Sequence, residues 1–335
     1  MAFNLTWQAP KPTFPSLPPN ITRTFIPTAS GPLELLSATT STLTRKTPLF
    51  FIHGGFGSAA VWLEYMTYFS QNGIPCYALS LRGHGNSWYP SFLRMLYWTT
   101  KRTLASDLVA GIEHVQELES GKRGEPVEVI LVGHSSGGGL SQLILSEGSV
   151  KVKALVLMGA IPCFRSLDPW FSIRMLWHAW HPKSPLSSTK LVKNVFFGKS
   201  MPIEKVQAFE KLLSPYESLL WPIGMFRPFV NVHNILQGIV DWGTSDRVMV
   251  LGGENDKLVT MSIMRRVAGT YRSAFGDLVE SKKIEAESKG LRTQGEDNFG
   301  KGVTHATIPS AGHHTQNDEP WVVGAKKILS FYEQL

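Results

Sequence analysis

Val127-Glu128-Val129-Ile130-Leu131-Val132-Gly133-His134-Ser135-Ser136-Gly137 decides how this chain is read. An apolar, β-branched run ends in G-x-S-x-G, and the small residues that follow, Gly138-Gly139-Leu140, turn helical. Between a strand and a helix, that pentapeptide makes a sharp turn that lifts the serine hydroxyl above the sheet edge. The glycines keep side chains out of the turn. The helix that follows aims free backbone N–H groups at the same point. Gly and Ser are common in tight turns, so the pentapeptide gains its meaning from the segments around it.

Three further segments stand in the matching order. Thr47 to Ile52 reads as a buried strand running into His53-Gly54-Gly55-Phe56-Gly57, a glycine-rich loop able to offer backbone N–H groups to an oxyanion. Arg247 to Leu251 reads as a strand ending in Gly252-Gly253-Glu254-Asn255-Asp256. Thr304 to Ile308 is a short strand followed by Pro309-Ser310-Ala311-Gly312-His313-His314. Strands alternating with helices predict an α/β fold, a mostly parallel sheet covered by helices on both faces.

With those motifs the chain resembles a capped α/β-hydrolase of the esterase, lipase, lactonase and thioesterase-like kind. The resemblance spans residues 31–160 and 241–335 as the core. It includes Leu81-Arg82-Gly83-His84-Gly85-Asn86-Ser87, similar to the family's D-x-R-G-x-G-x-S loop, with Ser80 where the family carries aspartate. That departure bears on loop anchoring more than on chemistry. The resemblance implies a triad in the chain order Ser, Asp, His: Ser135 as nucleophile, Asp256 as orienting carboxylate and His313 as base. His314 is the neighbouring alternative for the base, and Glu254 for the acid. A serine hydroxyl needs such a base to take its proton. The oxyanion donors implied are the N–H of Ser136 and one from the loop after the first core strand, Gly55, or Phe56 if the loop shifts by one residue.

Residues 1–30 form a proline-rich arm, with Thr22 to Ser37 reading as a hairpin that turns at Ser30-Gly31-Pro32. Residues 161–240 break the strand–helix rhythm. Prolines chop this segment into short helices, and large apolar residues crowd it, among them Trp170, Trp177, Phe196, Phe197, Trp221, Phe226 and Phe229. The expectation is a helical cap inserted in the core. Most of its aromatics pack the insertion down. The remainder, with Trp170, Trp177, Trp221 and Phe226 as the candidates, line an apolar substrate pocket. Gly276 to Lys301 lacks apolar periodicity and reads as an exposed insertion before the last strand.

The 335 residues carry 43% hydrophobic content, ample for one large core, and a formal net charge of +7. The basic residues are scattered, which argues against nucleic acid as a partner. A basic surface suits an acidic substrate or carrier protein. No apolar run approaches a membrane span, the start lacks the pattern of a signal peptide, and Cys76 and Cys163 read as buried thiols, so an intracellular protein is expected. No spacing of His, Cys or carboxylates suggests a metal, and neither a phosphate loop nor a dinucleotide fingerprint is present, so no cofactor is expected.

The reading is a serine hydrolase acting on an ester, thioester or lactone of a mainly apolar small molecule. Two alternatives keep the same residues. An acyl-transferring or lactone-forming, thioesterase-like enzyme would release a carrier-bound acyl chain. A non-catalytic ligand receptor would reuse the fold.

Overall fold

The computed structural model describes residues 16–38, 44–164, 183–224 and 227–335. Ten strands make one sheet: β1 (Thr22–Ile26), β2 (Leu33–Ala38), β3 (Leu49–Ile52), β4 (Cys76–Leu79), β5 (Ile130–His134), β6 (Ala154–Met158), β7 (Val248–Gly253), β8 (Arg292–Gln294), β9 (Asp297–Phe299) and β10 (Val303–Ile308). Their order across the sheet is β1-β2-β4-β3-β5-β6-β7-β10-β9-β8. The six central strands, β4 to β10 in that order, run parallel, and the flanking pairs are antiparallel.

The helices are α1 (Leu63–Gln71), α2 (Phe92–Trp98), α3 (Lys101–Arg123), α4 (Ser136–Ser146), α5 (Thr189–Phe196), α6 (Ile203–Glu210), α7 (Leu220–Gly224), α8 (Val232–Gln237), α9 (Met261–Glu280) and α10 (Trp321–Tyr332). The central strands are continuously apolar because both faces are buried. Phe50, Ile52 and Leu131 face a layer that includes Leu104 and Leu108 of α3, Leu140 of α4 and Met264 of α9. The alternate residues Leu49, Phe51 and Val132 face Tyr65 and Phe69 of α1, Ile328 of α10, and Phe196 and Phe209 of α5 and α6. At α3, the Thr100 side chain accepts from the Thr103 N–H at the start, and Gly124 closes the end at φ 72°. Both are standard terminators for a helix of this length.

One segment differs from the sequence expectation. The stretch from Gly276 is not an exposed insertion throughout. Helix α9 runs on to Glu280, and β8 and β9 form a hairpin that extends the sheet beyond β10. These two strands are three residues each, with Phe299 their one apolar residue, so they carry no alternation to read. At the other edge, β1 pairs with β2 along its whole length, the hairpin expected over Thr22 to Ser37. Residues 1–15 of that arm lie outside the described residues. Cys76 and Cys163 are buried and unbridged. Between β6 and β7, the described residues form the short helices α5 to α8 with no strand among them.

Ser80, standing where the related loops carry aspartate, has a substitute carboxylate nearby. Glu34 of β2 is buried and accepts from Ser80 Oγ (2.7 Å), the Asn86 N–H (3.0 Å), Asn86 Nδ2 (2.7 Å) and Arg23 Nε (2.7 Å). Ser80 Oγ in turn accepts from the Ala59 N–H at 2.9 Å. A shorter side chain at position 80 leaves room for a carboxylate arriving from the neighbouring strand.

Candidate active site

The carboxyl ends of β3, β5, β7 and β10 carry the four motifs, at the edge where open α/β sheets gather their ligands. Ser135 follows β5 with φ 51° and ψ −119°, a conformation that a non-glycine residue adopts only when its surroundings enforce it. They do so by close approach. A Cβ on Gly137 would lie 2.3 Å from the His53 carbonyl, and one on Gly54 would lie 2.9 Å from Ser135 Cβ. The elbow therefore seats directly on the β3 loop, and only glycine fits at either contact.

His313 Nε2 lies 2.9 Å from Ser135 Oγ, and its Nδ1 lies 2.8 Å from Asp256 Oδ2. The other carboxylate oxygen, Asp256 Oδ1, accepts the N–H groups of Leu258 (2.8 Å) and Val259 (2.9 Å). The three residues the sequence singled out from loops far apart in the chain thus stand in one hydrogen-bonded line. His313 is presented by a tight crossing: a Cβ on Gly312 would lie 2.5 Å from the Phe197 carbonyl carbon. Asp318 Oδ2 accepts from both Gly312 and Gly198 N–H at 2.7 Å and so ties that loop to the end of α5.

The two alternatives stand elsewhere. The His314 ring packs among Phe196, Phe197, Phe209 and His134, and the His314 backbone N–H donates to the Phe196 carbonyl at 2.7 Å. Burial, reinforced by His313, holds its pKa well below the ordinary histidine range. Glu254 accepts the Ser310 N–H at 2.7 Å and makes no contact with either histidine. His134 lies 4.9 Å from the His313 ring, with Nε2 placed 3.0 Å from the His313 carbonyl. Burial, and then its two histidine neighbours, keep it neutral, so Nε2 carries the proton and donates.

The loop after β3 distinguishes the two residues expected there, Gly55 and Phe56. Phe56 N–H is taken up by Glu217 Oε2, to which it donates at 3.2 Å, and Phe56 itself sits at φ 62°. The N–H groups of Gly55 and Ser136 have no acceptor among the described residues. Gly55 also abuts Ser136, since a Cβ there would lie 3.8 Å from Ser136 Oγ.

Of the expected pocket residues, Trp170, Trp177 and Phe226 lie outside the described residues. Trp221 is buried, and its ring edge lies 3.3 Å from where a Cβ on Gly139 would stand, against the first turn of α4. Phe196 stacks near His313, with centroids 6.2 Å apart and planes at 20°. Sequence reasoning did not single out Glu217 or His84 for the site. Nothing in the local sequence, Leu212 to Trp221, sets Glu217 apart from a solvent-facing carboxylate.

The fold and this constellation define a class: a hydrolase-type α/β sheet with a serine elbow. The chain belongs to the alpha/beta hydrolase family, whose model matches residues 49–323. It is similar in structure to an esterase from Thermogutta terrifontis (TM-score 0.62, 16% identity, covering 93% of this chain and 98% of that one). An esterase from Exiguobacterium antarcticum matches with TM-score 0.64 at 16% identity, covering 93% and 100%. So does the 2-hydroxy-6-oxo-6-phenylhexa-2,4-dienoate hydrolase from Rhodococcus sp. strain RHA1, with TM-score 0.63 at 15% identity, covering 93% and 99%. At such identities the likeness is one of fold. Among the described residues, no helix is long and apolar enough to cross a membrane.

Proposed function

We propose that this protein is a serine hydrolase that cleaves an ester, thioester or lactone of a mainly apolar small molecule through an acyl-enzyme. The observation that carries the reading is His313 placed between Ser135 Oγ (2.9 Å) and Asp256 Oδ2 (2.8 Å). His313 takes the Ser135 proton through Nε2 as Oγ attacks the acyl carbon, and then returns it to the leaving oxygen or sulfur. Asp256 keeps the proton on Nδ1 and stabilises the imidazolium that forms. The N–H groups of Gly55 and Ser136 hold the oxyanion of the tetrahedral intermediate. Water then enters by the same base and releases the acid.

The segment between β6 and β7 serves as the cap in this reading, with Trp221 as an apolar wall beside the elbow. Apolar lining favours acyl chains by buried area, at about 25 cal/mol per Å². A series of 4-nitrophenyl esters of increasing acyl length tests the reading. Turnover across the series, abolished by Ser135→Ala, is expected. In Trp221→Ala, preference shifts along the series while acetate-ester turnover stays near wild type. Equal activity of Ser135→Ala and wild type on all esters would overturn it.

A further inference from the structure

Phe56 is held on both sides by one short stretch of the segment between β6 and β7. Its N–H donates to Glu217 Oε2 (3.2 Å), and its carbonyl accepts the Ser214 N–H (2.8 Å). Ser214 Oγ reaches the next carbonyl, that of Gly57, at 3.3 Å. Phe56 needs such holding, because φ 62° is left-handed backbone that a residue with a Cβ resists. Its N–H bond fixes the Gly55–Phe56 peptide unit, and the adjoining Gly54–Gly55 unit, which carries the Gly55 N–H, is held by the Gly54 carbonyl accepting the Gly57 N–H at 3.1 Å.

Glu217 is itself buried and fully engaged. Oε1 accepts the Ser218 N–H at 2.8 Å, and Oε2 also faces His84 Nε2 at 3.0 Å. His84 Nδ1 stands 2.9 Å from the Arg82 carbonyl, which can only accept. Both ring nitrogens therefore face acceptors, so both carry protons and the ring is an imidazolium. The electrostatics agree. Burial disfavours the charge on His84, but the Glu217 carboxylate and the Arg82 carbonyl, with Asp107 of α3 beyond, raise its pKa above the ordinary value. Burial likewise disfavours the Glu217 charge, and His84 with the Ser218 and Phe56 N–H groups holds its pKa below the ordinary one.

His53, whose ring lies 4.8 Å from His84, does the opposite. Its Nε2 accepts the Leu81 N–H at 3.1 Å, and its Nδ1 faces the Gly54 carbonyl at 2.8 Å, which fixes the neutral Nδ1–H tautomer. One charged and one neutral imidazole thus brace the oxyanion loop from below.

We propose that Glu217 is a positioning residue for the oxyanion hole: paired with His84, it holds Phe56 so that the Gly55 N–H faces the acyl oxygen, and it makes that geometry depend on the inserted segment being seated. The inference rests on the hydrolase reading above, since the hole matters only where an oxyanion forms.

The decisive variant is Glu217→Leu, which fills the buried site and removes the acceptor of the Phe56 N–H. Glu217→Gln is its control, because the amide oxygen stays on the side that receives both the Phe56 N–H and His84 Nε2–H, and the Ser218 N–H loses its acceptor instead. In Glu217→Leu the Phe56 N–H is left without that partner. For a short activated ester, kcat is expected to fall roughly 10- to 100-fold, less than the loss of a whole oxyanion donor, with KM within about threefold. Hydrogen–deuterium exchange at the Phe56 amide is expected to speed up at the same time. The exchange measurement needs no substrate. A protein inactive on every ester would overturn the hydrolase reading, and the Phe56 amide would still decide the clamp. An unchanged Phe56 amide overturns the clamp, and kcat within threefold of wild type overturns its part in turnover. Should Glu217→Leu fail to fold, Glu217→Met and Glu217→Ala carry the same two measurements.

Discussion

Asp256 uses its two oxygens for two different tasks: Oδ2 faces His313 Nδ1 at 2.8 Å, while Oδ1 is locked by the Leu258 and Val259 N–H groups. The carboxylate cannot rotate without leaving two buried N–H groups unpaired, at about 1–3 kcal/mol each. In Asp256→Asn the amide oxygen must stay on those N–H groups, so the NH₂ turns toward His313. That forces Nδ1 to accept and puts the ring proton on Nε2, facing Ser135 in the wrong tautomer. The expected loss in kcat is about 10³- to 10⁴-fold with the fold retained, read from ester turnover and a melting curve. A larger loss in Glu254→Gln than in Asp256→Asn would contradict the assignment.

His313 and His314 should separate by what they damage. His313→Ala removes the base and is expected to lower turnover by orders of magnitude with a modest change in stability. His314→Ala empties a site lined by Phe196, Phe197 and Phe209. It is expected to lower stability by about 2–4 kcal/mol in urea unfolding while kcat stays within about tenfold. The reverse pattern would reassign the base.

Glu34 predicts an epistatic pair. Ser80→Asp restores the related loops' residue but sets a second carboxylate beside one that already faces Ser80 Oγ at 2.7 Å. Like charges so close in a buried site are expected to cost about 2–4 kcal/mol of stability. Adding Glu34→Gln should recover at least half of that loss. A double variant no more stable than Ser80→Asp alone would show that the two positions are independent.

Stability against pH follows from histidines held neutral. Burial, and then the nearby His84 charge, push the His53 pKa from 6.5 down to about 3, and burial with Arg272 and Arg265 pushes that of His305 to about 4. For a lowered histidine the unfolded chain binds the proton first. Its contribution is therefore complete above pH 6.5 and is lost as pH falls toward the folded value. His134 and His314 act in the same direction, while His84, whose pKa is raised, gains below 6.5 and loses as pH rises through its folded value. The urea midpoint is expected to fall between pH 6.5 and 4, and His305→Leu to flatten that slope with kcat near wild type. A midpoint that rises as the pH is lowered would contradict the balance.

Much of this was legible because it is local. The Gly133–Gly137 turn, the Gly-rich loop after β3 and the Gly312-His313 pair each announce themselves within a few residues, and their chain order did the rest. Glu217 was not legible: its partner Phe56 is 161 residues away, and nothing in Pro215-Tyr216-Glu217-Ser218 marks a buried carboxylate. Glu34 escaped for the same reason, since a charged residue in a short hairpin strand reads as solvent-facing until the loop from Ser80 to Asn86 folds over it. The β8–β9 hairpin was missed because Arg292-Thr293-Gln294 is exposed and polar, and the side chains that anchor β9, Asp297 and Asn298, find their partners Thr307, Lys327 and Arg272 only in the folded chain.

The central claim, that Ser135 attacks and carries the acyl group, is tested most directly by trapping the intermediate. The enzyme is mixed with excess 4-nitrophenyl ester, quenched in acid within the first turnover, and digested for mass spectrometry. The account predicts a burst of nitrophenolate close to one per active site, together with an acyl adduct on Ser135 that is absent from Ser135→Ala. An adduct on another residue, or Ser135→Ala turning over within about tenfold of wild type, would contradict it.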